Sequence, residues 1–135
     1  MFNKAINAYQ NIEQATLTGR DAEARVLTKA AQKLKACQQH WDAPNLKEML
    51  HEALDYNQRV WAIFQAELGN PENPLPPAIR RDILLLSAYA DKRTLEILGS
   101  SRPEPDQLDI IIRINENIAA GLREKVASTE EPSLF

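Results

Sequence analysis

The sequence predicts an all-α fold, a single-domain bundle of about five helices, on three observations. Apolar residues recur at three- and four-residue spacing through each long segment, as the buried stripe of a helix requires. Glycine- and proline-rich breaks separate those segments. No run of alternating apolar and polar residues bounded by turns marks a strand. With 135 residues, 44% of them hydrophobic and 26% charged, the chain has the size and composition of one domain around one core. Residues 1–127 are assigned to that domain and 128–135 to a mobile tail without periodic pattern.

The first predicted helix rests on Phe2, Ala5, Ile6, Tyr9 and Ile12 and ends near "TLTG". Its apolar face is narrow, and an isolated helix of this length is marginal in water, so it is expected to dock weakly. Thr18 and Asp21 form a loose capping box for the second helix, whose face is Val26, Ala30, Leu34, Cys37 and Trp41, with Pro44 as its stop. The third runs from Leu46 to Leu68 and is closed by Gly69. "NPENPLPP" then places four prolines in eight residues and forms a stiff connector.

Pro76 and Pro77 suit the first turn of the fourth helix, where a missing N–H costs nothing. Ile79, Ile83, Leu86, Ala90, Ile97 and Leu98 are its expected buried face, and Leu84, Leu85 and Leu95 point elsewhere. A helix apolar on more than one side is either central in the bundle or offers a surface to a partner. After "GSSRPEP", the fifth helix puts Leu108, Ile111, Ile118, Ala119, Leu122 and Val126 on one arc, leaving Ile110 and Ile114 off it. Leu84, Leu85, Leu95, Ile110 and Ile114 are the candidate apolar partner contacts.

Two polar residues break the pattern. Asn57 falls in the middle of the arc formed by Leu50, Leu54, Trp61, Phe64 and Leu68, and Asn115 falls in the middle of the fifth helix's arc. An unpaired buried amide costs about 1–3 kcal/mol, so each needs a partner. In one reading the two bond each other, a backbone carbonyl, Ser87 or Thr94, and fix helix register. In the other they line a groove and hold the backbone of an extended peptide.

Catalytic and metal chemistry finds little support. His40 and His51 belong to no metal-binding pair, and Glu52, Asp55, Asp82, Asp91 and Asp109 read as solvated charge, so no metal, cofactor or catalytic residue is assigned. Cys37, the single cysteine, lies on an apolar stripe without a neighbouring histidine and reads as core. Gly19 and Arg20 at a helix start are weak evidence for an anion site. The chain is therefore read as no enzyme. Net charge is −3, which disfavours a sequence-independent grip on nucleic acid or anionic membrane. Arg25, Lys29 and Lys33 repeat every four residues as a candidate basic stripe, but without interleaved aromatics. No apolar run reaches a membrane span and no signal-peptide pattern opens the chain, so a cytoplasmic location is expected.

"GRDAEARVL", "LKACQQHWDAP", "LDYNQRVWAIFQAEL", "NPLPP" and "INENIAAGLR" follow one another in an order and spacing that resembles the FlaF family of flagellar biosynthesis regulators, over residues 1–125. The resemblance implies a small cytoplasmic protein required for flagellum assembly, which couples flagellin production to export. It also implies flagellin as partner, an FlbT-like regulator nearby, and a role similar to that of the export chaperone FliS. Two functions compete on that basis. A flagellin chaperone would shield an aggregation-prone terminal segment before secretion, whereas a post-transcriptional regulator would act on flagellin mRNA or its translation, directly or through a partner protein. The acidic composition and the many-sided fourth helix favour the chaperone.

Overall fold

Helix-forming stripes and the breaks between them give an up-and-down bundle in the computed structural model, which describes residues 19–130 and the side chains of 20–124. The elements are α1 (Gly19–Gln39), α2 (Leu46–Leu68), α3 (Pro77–Leu98), a 3₁₀ turn (Pro105–Leu108) and α4 (Asp109–Glu130). They correspond to the second to fifth predicted helices, and no strand occurs among the described residues. The helix expected over residues 2–16 lies outside them, as does Thr18 with its expected cap.

Short connections make sequential helices antiparallel neighbours. α1 packs most extensively on α4 and then on α2, while α3 closes the square against α2 and α4. Gln38 reaching Asp109 at one end and Arg123 reaching Thr28 at the other fix the α1/α4 pair in antiparallel register. One layer of core holds Leu27, Val60, Trp61, Phe64, Ala90 and Ile114, and a second holds Leu34, Leu50, Leu54, Ile97, Leu108 and Ile111. Each large apolar side chain withdrawn from water in this way contributes about 1.5–3 kcal/mol.

α2 has the expected bounds, with Gly69 at its C-cap donating to the Gln65 carbonyl at 3.0 Å. The proline-rich connector is stapled rather than merely stiff. Asn73 donates through Nδ2 to the Glu67 carbonyl at 3.1 Å and accepts from the Leu75 N–H at 3.0 Å, and Leu75 is thereby turned into the core. Pro77 starts α3 as its first residue.

Two expected buried faces are corrected. On α1 the buried strip is Ala24, Leu27, Ala31 and Leu34 together with Ala30 and Cys37, whereas Val26 is half-buried, as is Trp41, which lies beyond the helix because α1 ends at Gln39 ahead of the expected stop at Pro44. Three of these six buried residues are alanines, small enough to admit a neighbouring helix, and α1 packs most extensively on α4. On α3 the buried strip is Ser87, Ala90, Thr94 and Ile97, while Ile79 and Leu86 are exposed and Ile83 and Leu98 half-buried. α4 runs to Glu130.

Candidate partner-binding surface

Asn57 and Asn115 meet inside the bundle. Asn115 donates through Nδ2 to Oδ1 of Asn57 at 2.6 Å and toward the Leu27 carbonyl at 3.5 Å, and its own Oδ1 accepts the Trp61 indole N–H at 2.8 Å. One amide therefore joins α4 to α2 twice and to α1 once. Both asparagines are fully buried, so neither presents an amide to a peptide on the surface. Ser87 and Thr94 take no part in this pair: Ser87 donates to the Leu84 carbonyl at 2.7 Å and Thr94 to the Ala90 carbonyl at 2.8 Å. The Trp61 N–H escaped the sequence reading, which treated the residue only as hydrophobic bulk.

The apolar surface is concentrated on α3. Leu85 and Leu95 are 63% and 64% exposed, Tyr89 48%, Leu86 40% and Ile79 37%, and these are the large apolar residues most open to solvent among those described. Of the five expected apolar contacts, Leu85 and Leu95 are thus available. Leu84 and Ile110 are half-buried against the core. Ile114 is a correction: it is buried beside Trp61 and offers no surface, because α4 turns it between α2 and α3. Ile79, Leu86 and Tyr89 were missed as exposed residues, since hydropathy cannot tell that a helix buries its small polar side instead.

The physical reason for that inversion is local. Ser87 and Thr94 satisfy their hydroxyls on carbonyls three and four residues back, so they enter the core at little polar cost. Gln65 of α2 then donates to Ser87 Oγ at 3.1 Å and to the Asp91 carboxylate at 2.9 Å, which pins the rotation of α3. With α3 held by that face, leucines at 85, 86 and 95 have no core to enter.

The basic stripe is committed to the protein itself. Arg25 pairs with Asp21 at 2.8 Å, Lys33 pairs with Glu52 at 3.5 Å, and Lys29 and Lys33 lie 5.7 and 5.1 Å from the centre of the Tyr56 ring. Lys35 pairs with Glu116 of α4. His40 and His51 are exposed, and no cluster of three metal-ligating side chains occurs among the described residues. Cys37 is buried and its thiol is pushed up first by that burial and then by Glu52. Among the described residues the one strongly perturbed carboxyl is Glu23, raised from 4.5 to about 8 by burial and by a hydrogen bond with Glu67, with the Arg20 guanidinium 3.1 Å away pulling the other way. The sequence gives no signal for this cluster, because its members occupy positions that read as polar surface.

The family model of the flagellar protein FlaF matches residues 5–122. The chain belongs to the FlaF family. The match takes in α1, α2 and α3 whole, both asparagines and the exposed face of α3, and it ends within α4 at Leu122, the last buried residue described there. No curated protein and no solved structure matches the chain. No helix among the described residues is long and apolar enough to cross a membrane.

Proposed function

We propose that the protein is a cytoplasmic flagellin-binding factor, which holds an aggregation-prone terminal segment of flagellin before export and so couples flagellin synthesis to secretion. Membership of a flagellar family supplies the context. The observation that carries the reading is the exposed apolar face of α3, with Leu85, Leu86, Tyr89 and Leu95 turned outward on a helix whose core side is Ser87, Ala90, Thr94 and Ile97. Such a surface suits the apolar stripe of an amphipathic helix laid along it.

The competing reading, direct regulation through flagellin mRNA, has weaker support. The cations that could meet phosphates on α1 are paired with Asp21, Glu52 and the Tyr56 ring, and the chain is acidic overall. A pull-down from flagellated cells with this chain as bait decides between them. Flagellin recovered at one to one supports the binding factor. Retardation of flagellin mRNA by the purified chain alone, without flagellin recovery, supports the regulator.

A further inference from the structure

The exposed face of α3 carries its charges in an ordered way. At about 100° per residue, with Leu85 as origin, Arg81 and Lys92 fall about 40° and 20° to one side, whereas Glu96, Tyr89 and Asp82 fall about 20°, 40° and 60° to the other. All six are exposed. The apolar ridge of Leu85 and Tyr89 therefore has a basic edge and an acidic edge. Among the described residues Arg81, Asp82 and Lys92 enter no ion pair, and Glu96 has Arg93 at 3.6 Å. We propose that this face pairs with the same face of a second copy of the chain, the two α3 helices lying parallel about a two-fold axis.

Charge selects both the occupant and its direction. A two-fold axis parallel to the helices lays the basic edge of each copy on the acidic edge of the other, so Arg81 meets Asp82 of the second copy and Lys92 meets its Glu96, each pair occurring twice. Antiparallel helices about a perpendicular axis set basic edge on basic edge and acidic on acidic, which repels. The four charges sum to zero while the chain carries −3, so this face lacks the repulsion that keeps acidic copies apart. Leu85 lies nearest the axis and meets its own equivalent. Area sets the strength. α3 has 22 residues and is about 33 Å long, so one helix pair about 10 Å wide covers about 300 Å² on each copy, well below the roughly 800 Å² per partner of a stable complex. The pairing is weak and reversible, and the face can exchange the second copy for a different partner. It needs no flagellin and is tested without it, so its failure leaves the flagellin reading standing.

Sedimentation velocity of the full-length chain alone, from low micromolar to near-millimolar concentration, should show monomer passing reversibly to dimer and no further. Arg81→Glu with Lys92→Glu makes both edges acidic, and Asp82→Lys with Glu96→Lys makes both basic. All four positions are exposed, so both variants should melt close to the parent. Each variant alone is expected to dimerise at least tenfold more weakly than the parent, and an equimolar mixture should recover a dimer with one copy of each. Direction is read by oxidation in a Cys37→Ala background that removes the native thiol. Ala78→Cys should link copy to copy at least tenfold faster than Asn117→Cys on α4, because a parallel pair brings the two 78 positions together and an antiparallel pair sets them at opposite ends. A chain that stays monomeric at every concentration overturns the proposal, and leaves the face to another segment of this chain or to a different protein. A dimer that both charge variants form as tightly as the parent overturns it too, since another surface is then paired. Equal linking at positions 78 and 117 overturns the parallel arrangement.

Discussion

Asn115 hands one N–H to Asn57 and takes another from Trp61, so a single α4 side chain satisfies two polar groups of α2 in the middle of the core. Replacing Asn115 by Leu orphans the Trp61 N–H and leaves the Asn57 carbonyl oxygen without this donor. Replacing Asn57 by Leu deprives only one Asn115 N–H of its acceptor. Both changes are expected to destabilise, by about 1–3 kcal/mol for a group left unsatisfied, with Asn115→Leu the worse of the two. Changing both should recover part of the loss but not all, since Trp61 still lacks its acceptor. Urea denaturation of the three variants measures this, and equal losses for the two single changes would contradict the asymmetry.

The asparagine pair was visible in the sequence because both residues fall on long, regular apolar arcs, where an amide is conspicuous. α2 was visible for the same reason, together with the Gly69 stop. α3 was misread in rotation. Its apolar residues outnumber the places its core side can hold, and the residues that do enter the core include Ser87 and Thr94, whose hydroxyl bonds to their own helix have no hydropathy signature. The Glu23 cluster was hidden because packing at the α1 entrance, and no sequence pattern, buries that carboxyl.

Glu23 makes stability depend on pH. Its folded-state pKa, about 8, lies above the ordinary 4.5, chiefly through burial and the hydrogen bond with Glu67, so the folded protein holds a proton that the unfolded chain has released. This contribution is full below pH 4.5, declines as pH rises toward about 8, and is absent above it. Glu23→Gln should flatten that decline and be more stable than the parent at pH 9. Melting temperatures of the two proteins across that range check it, and parallel profiles would remove Glu23 as the cause.

The rotation of α3 has an equally direct consequence. Ile97 is buried and Leu95, two residues earlier, is mostly exposed. Ile97→Ala should cost about 2–5 kcal/mol and Leu95→Ala no more than about 0.5 kcal/mol. Comparable losses in denaturant titrations would mean that α3 packs by a different face.

The exposed face of α3 can be altered without touching the core, which makes it the place to measure. Leu85→Asp with Leu95→Asp changes two residues that are each more than three-fifths exposed, and is expected to leave the melting temperature close to that of the parent. Titrated with flagellin, the parent should form a one-to-one complex and this folded variant should lose at least tenfold in affinity. A variant that melts normally and binds flagellin as tightly as the parent would contradict α3 as the flagellin-binding surface.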